Sequence, residues 1–434
     1  MTLADPRSLR IENALICCGG DAESEPFRGW VDVREGRIVA VARGRAPTAY
    51  AGRLLDGTDC ALIPGLINTH AHSHSSLTRG SAEGLALEPW IAAIEREQRL
   101  LGDEDAHAGA LATYGEALLS GTTTLLDMCL RPTPALEAAR RIGIRAVVAP
   151  YVLDGRSFAP DLAMTQSLLQ AGSARPSRES VWVGLHDLES CSDETIRLGA
   201  ELAAQYGVGL HLHCAESRYA VERTLQRTGR SPVAQLESLG ALGRRTVLAH
   251  GVWVDAADRV LLADHGTSIA HCPHANLKLA SGFAPVPELQ AAGVRVALAT
   301  DGAKANNRLD MFDVMKFTSL IHKGTHLDAS LMPARQVLRM ATLDGADALG
   351  LDAGQIAVGR LADLVLVDLR GFHLQPALPE SIVTNLVHAA RGADVRTVIV
   401  DGELVVENGC LVHVDAADVR AAMRAAARRL LQTA

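Results

Sequence analysis

Leu62-Ile63-Pro64-Gly65-Leu66-Ile67-Asn68-Thr69-His70-Ala71-His72 is an apolar run that ends in two histidines spaced two apart. Its length and branched side chains predict a buried strand, and its polar end predicts where the strand stops. In an extended chain alternate side chains share a face, so His70 and His72 can point to the same side. The theme of an apolar strand, a polar end and a helical stretch recurs along the chain. Eight strands are expected, near Leu62–His70, Thr122–Asp127, Arg145–Val152, Val181–His186, Val208–His213, Thr246–His250, Ser268–His271 and Arg295–Asp301. Asp105–Ser120, Ser192–Gln205 and Asp255–Asp264 between them have helical spacing. Alternating strands and helices imply a parallel sheet, and eight units imply an α/β protein with a TIM-like (β/α)8 barrel.

The two ends read differently. Leu9–Ile16, Gly29–Val33 and Arg37–Val41 resemble short strands with turns between them, as do Leu364–Leu369, Thr397–Val400 and Glu403–Val406. Pairing across the termini would give a small β-sandwich from 1–63 and 358–434, closed by an amphipathic helix over Ala416–Leu431. The barrel would occupy 64–357.

Composition narrows the function. The 42 Lys and Arg against 50 Asp and Glu give a net charge of −8, and no extended basic block is present. A nucleic-acid partner is therefore not expected. No apolar run is long enough to span a bilayer, so no membrane partner is expected either. The eight cysteines form no C-x-x-C pair, and Met1–Pro6 has no leader-like pattern. Reduced thiols in a cytoplasmic homo-oligomer are the expectation.

Polar residues gather at the predicted strand ends. His70 and His72 end the first strand, His213 the fifth, His250 the sixth and Asp301 the eighth, with Glu216 just past His213. Barrel enzymes carry their chemistry on that rim. Alone, His213 or His250 reads as a core histidine and Asp301-Gly302 as a turn. Together, at matching strand ends, they read as a metal site.

Several segments carry a family resemblance. They are Pro64–His72, His211-Leu212-His213-Cys214-Ala215-Glu216, Ala249-His250-Gly251, Ala270–Leu279 and Thr300-Asp301-Gly302-Ala303. The chain resembles the amidohydrolase superfamily, in its cytosine-deaminase-like branch of chlorohydrolases and deaminases. The resemblance implies one divalent metal on His70, His72, His213 and Asp301, zinc first, with iron or manganese also compatible with these donors. Two-metal relatives carry a lysine at the end of the fourth strand, where this chain reads Leu185-His186-Asp187-Leu188-Glu189. The metal would acidify a water. Asp301 would take the water's proton, Glu216 would protonate a ring nitrogen, and His250 would steady the attacking oxygen.

The implied substrate is a small N-heterocycle that loses ammonia. Arg79–Leu85 with Trp90, Asn276–Gly282 and Asp301–Phe312 resemble deaminases of S-adenosylhomocysteine, methylthioadenosine or adenosine. By that analogy Glu97 would meet ribose hydroxyls, with Glu95 as its competitor, and His186 would line the pocket. Those relatives place an arginine after the third strand, where this chain reads Ala149-Pro150-Tyr151-Val152. That departure argues against S-adenosylhomocysteine. His74 and His274 are additional histidines near the rim and are expected to reach the substrate. The alternatives are guanine, pterin, pyrimidine or triazine rings, a triazine-type hydrolase that releases chloride or alkylamine, and a non-catalytic binding barrel.

Overall fold

The computed structural model describes residues 8–19, 25–48, 50–172 and 178–432. Met1–Pro6 lies outside them. Two parallel sheets form the centre. One runs Leu66–Ala71, Thr122–Cys129, Arg145–Pro150, Glu179–Val181. The other runs Val183–Gly184, Leu210–Cys214, Thr246–His250, Ser268–His271, Val296–Leu298. Val152 and Leu185 bridge the two sheets in parallel. On the opposite side the Asp301 amide donates to the His70 carbonyl at 3.0 Å, and the Thr69 hydroxyl donates to the Leu298 carbonyl at 3.0 Å. Apart from Glu179–Val181, the strands are buried along their whole length, as parallel strands covered by helices are.

Local chemistry sets the helix limits. The Ser192 hydroxyl accepts from the Thr195 amide to start Asp193–Tyr206, and Gly207 ends that helix at φ 62°. Asp255 and Asp258 cap Ala256–His265 reciprocally.

The first expected strand is two. Cys60–Pro64 pairs antiparallel with Leu364–Asp368, whereas Leu66–Ala71 pairs parallel with Thr122–Cys129. The break falls at Gly65, where a Cβ would sit 2.1 Å from the Thr123 hydroxyl. Only glycine allows that approach. The fourth strand is also split, at Trp182, whose ring lies against Gly209.

Strands from both ends join one sheet in the order Cys410–Leu411, Glu403–Glu407, Val395–Val400, Leu364–Asp368, Cys60–Pro64, Leu9–Ile16, Phe27–Arg34, Arg37–Arg43. Arg53–Asp56 pairs beside Leu9–Ile16. Alternation gives the sheet two apolar faces. Leu62, Leu364 and Leu366 enter the sheet's own core, while Ile63, Val365 and Val367 enter the core shared with the central helices.

A buried ion pair couples the two regions. Arg145 donates through Nε and Nη2 to Asp363 at 2.8 and 2.9 Å, and the Asp401 amide donates to the same carboxylate at 2.7 Å. Arg145→Met is expected to cost about 3–5 kcal/mol, because it leaves Asp363 buried without its counter-charge. Adding Asp363→Asn should recover part of the loss. Urea midpoints of the two variants check this.

Candidate metal and catalytic centre

Each histidine at the strand ends is fixed by a hydrogen bond on one ring nitrogen. The His72 Nδ1 lies 2.7 Å from the Met128 carbonyl, and the His213 Nδ1 lies 2.7 Å from the His186 carbonyl. A carbonyl only accepts, so both Nδ1 atoms carry the proton and both Nε2 atoms keep a lone pair. His70 reaches the same state through a relay. The His211 Nδ1 donates to the Val247 carbonyl at 2.8 Å, so its Nε2 accepts from the His70 Nδ1 at 2.8 Å. The His70 Nε2 is then a buried lone pair with no protein partner.

These three lone pairs converge. The His72 and His213 Nε2 atoms are 3.3 Å apart, and the Asp301 Oδ1 stands 3.7 Å from the His70 Nε2 and 3.6 Å from the His72 Nε2. Two lone pairs facing each other at that distance repel unless a cation lies between them. Burial holds His70 and His213 well below the usual histidine range, with the neighbouring imidazoles adding to it. Burial also lowers His72, against the pull of Asp301. Neutral imidazoles with converging lone pairs beside a carboxylate fit a divalent ion. His70 also groups with His250 and Cys272. Burial raises the Cys272 thiol well above its ordinary range, so it stays protonated and ligates poorly.

Glu216 and His250 face this cluster. The His250 Nδ1 lies 2.8 Å from the Asn276 Oδ1, and its Nε2 lies 3.5 Å from the Glu216 Oε2. Burial pushes the Glu216 carboxyl up to about 7, opposed by His250 and assisted by Asp301. His250 and Asp301 hold left-handed backbone conformations, at φ 76° and 61°. Such conformations are costly for residues with a Cβ and cluster at functional sites.

His72, His213, Asp301, Glu216 and His250 lie in the wall of a cavity of about 770 Å³. His74, His186, Glu95 and Glu97 line it as well. His186 donates from Nδ1 to Asp187 at 2.8 Å, which raises its pKa against the effect of burial. Glu95 is paired with Arg156 at 2.8 Å, and Glu97 is bonded to Lys304. Tyr151 follows the third strand where the resembling deaminases place an arginine, and Arg156 enters the cavity wall five residues later.

His274 is a correction. It is absent from the cavity wall. Its ring stacks on Phe317 at 4.3 Å, and its Nε2 lies 3.6 Å from Asp313. Pro273 opens the helix Pro273–Lys278, which carries His274 away from the cavity.

Three contributors were not read from the sequence. His211 was within reach of the alternation argument, since it stands two residues before His213. Asn276 lies inside a quoted segment but had no role. Lys304 follows Asp301 by three residues and gave no periodic signal.

Neutral imidazoles and a carboxylate at parallel strand ends are the arrangement of a metal-dependent hydrolase. The chain belongs to the amidohydrolase family, whose description matches residues 61–405. It is 40% identical over 93% of each chain to a 5-methylthioadenosine/S-adenosylhomocysteine deaminase of Syntrophobacter fumaroxidans. It is 38% identical to a 5'-deoxyadenosine deaminase of Methanothermobacter thermautotrophicus, over 93% of this chain and 95% of that one. A zinc-bound adenosine deaminase structure from Xanthomonas campestris superposes with a TM-score of 0.90 at 31% identity, covering 98% of each chain. Among the described residues no helix is long and apolar enough to cross a membrane.

Proposed function

We propose that this protein is a metal-dependent deaminase that hydrolyses the amino group from an adenosine-type purine and releases ammonia. The observation that carries it is the convergence of the His70, His72 and His213 ring nitrogens, with Asp301 within 3.7 Å of the His70 and His72 Nε2 atoms and Glu216 and His250 at the same cavity. The deaminase names of relatives that cover over nine-tenths of the chain support the ring and the leaving group.

His70, His72, His213 and Asp301 would hold a single divalent ion, zinc in this proposal. When bound, the ion supplies Lewis acidity and an acidified water. Asp301 accepts a proton from the attacking water. His250, with its Nδ1 proton engaged by Asn276, offers the Nε2 lone pair to orient that water. Glu216, whose carboxyl burial raises to about 7 so that a protonated fraction persists near neutral pH, donates to a ring nitrogen as water adds to the neighbouring carbon. His186 and His74 contact the bound ring, and Glu97 faces the sugar.

The architecture is part of the proposal. The two parallel sheets form one eight-stranded barrel over 64–357, and 1–63 with 358–434 form a composite β-sandwich. A cytoplasmic homo-oligomer completes the reading.

A panel of adenosine-type nucleosides, pterins and triazines, each assayed for ammonia, chloride and alkylamine, tests the activity. Ammonia from the nucleosides is expected. Chloride or alkylamine without ammonia would establish the triazine reading instead.

A further inference from the structure

We propose that one ordered water bridges Asn276 and His271 behind the catalytic centre, and that this bridge sets the tautomer of His250, which makes His271 a positioning residue. The inference rests on the catalytic reading of His250 above. Asn276 lies on the short helix Pro273–Lys278, and His271 ends the strand Ser268–His271. The two residues are 1% and 2% exposed.

Which end of the Asn276 amide faces His250 decides the tautomer of that ring. The oxygen faces it, 2.8 Å from Nδ1, so Nδ1 carries the proton and Nε2 keeps its lone pair. With the amide turned over, Nδ1 would accept and Nε2 would carry the proton, leaving His250 nothing with which to accept from a water. The backbone of Asn276 is pinned. Its amide donates to the Cys272 carbonyl at 3.0 Å, and its carbonyl accepts from the Ser281 and Gly282 amides at 2.8 and 3.2 Å. Those bonds do not distinguish the two ends of the side chain. The distinction has to come from what the far end meets.

The far end is the Nδ2 donor, which is buried and has no partner in the protein. The His271 Nδ1 is in the same condition. Both residues line a small cavity of about 10 Å³, beside His322 and against Leu277, Phe283 and Ile321. That is about the space of one water, and a buried water needs roughly two to four polar partners. A water here accepts from the Asn276 Nδ2 and donates to the His271 Nδ1. His271 can accept at Nδ1 because its proton sits on Nε2, which lies 3.3 Å from the His322 Nε2 and donates to it. Burial keeps both rings neutral, holding His271 well below the usual histidine range and His322 down at about 4. Without an acceptor at its far end, the amide would carry a buried N–H with no partner, which folded proteins avoid more strictly than an under-used oxygen. Turning the amide would then be favoured, and His250 would present a proton to the centre instead of a lone pair.

Crystallography of the metal-loaded enzyme, ring-nitrogen NMR on protein labelled in its histidines, and kcat and KM read separately test the proposal. One ordered water within hydrogen-bond distance of the Asn276 Nδ2 and the His271 Nδ1 is expected, and a dry cavity overturns it. The His250 signals, identified by their loss in His250→Gln, should place the proton on Nδ1. In His271→Leu it should move toward Nε2, and kcat should fall roughly three- to tenfold with KM little changed, the effect of one hydrogen bond. His271→Gln supplies an oxygen that can accept from the water and should recover most of kcat. The double variant separates positioning from a merely structural role. Asn276→Leu leaves no amide to orient, so adding His271→Leu should lower kcat no further, whereas losses that multiply overturn the proposal. If His271→Leu does not fold, His322→Leu makes the same comparison, since it removes the acceptor that fixes the His271 tautomer. If no adenosine-type nucleoside is deaminated, the deaminase reading fails, and the water and the ring proton decide the bridge separately. A proton on Nδ1 that His271→Leu shifts supports the bridge, and one that His271→Leu leaves in place overturns it.

Discussion

Asp301→Asn is expected to lower kcat/KM by a factor of about 10²–10⁴, the range for loss of a positioned base, and to reduce bound metal as well. The substitution keeps the shape of the side chain. Its oxygen can still accept from the Gly302 amide, as the carboxylate does. What disappears is the negative charge facing the His70 and His72 Nε2 atoms at 3.7 and 3.6 Å. An amide nitrogen turned toward those lone pairs would donate to them and compete with a cation. The left-handed backbone at φ 61° favours the change, since asparagine tolerates that region at least as well as aspartate. The fold should therefore persist while turnover falls. Metal analysis, a thermal melt and kcat/KM on one preparation separate these effects. Normal turnover with full metal content would remove Asp301 from both of its roles.

How legible this site was depends on the kind of signal. Strand ends were legible because a short apolar run and its polar termination are local properties, and they placed His70, His72, His213, His250 and Asp301 on one rim. The break at Gly65 was hidden, because both halves of the run are apolar. The switch of sheets depends on the approach of Thr123, far along the chain. The His211 relay was readable from the same alternation that paired His70 with His72, yet it needs a third strand to acquire meaning. His274 misled because proximity in sequence to a strand end does not fix direction once Pro273 starts a helix. The Lys304–Glu97 pair joins residues 207 apart in sequence, and no periodicity reports such a meeting. In this chain, what could be read locally was the machinery common to a rim of strands. What could not was the wall of the cavity, which loops and helices from distant segments build together.

Glu216→Gln is expected to lower kcat by about 10²–10⁴, with KM much less affected, because the proton it delivers is needed only as the ring nitrogen gains charge. Glutamine retains the size and the hydrogen-bonding reach of the side chain but cannot exchange a proton. The pH dependence gives the assignment a second readout. Burial pushes this carboxyl from 4.5 up to about 7. The protonated form is the productive one, so activity in the unaltered enzyme should fall as pH rises through about 7. The residual activity of the Gln variant should lack that limb. Stability runs with the same sign. A carboxyl raised in the folded state contributes stability that is full below 4.5, its unfolded value, and is lost as pH rises through about 7. Glutamine is never ionised, so the variant should lose less stability between pH 5 and 8 than the unaltered protein does. A variant that unfolds earlier at pH 8 would show that Glu216 is held by contacts that compensate its burial as an anion. A variant with unchanged kcat would assign the proton transfer to another group in the cavity, with His250 the nearest candidate at 3.5 Å.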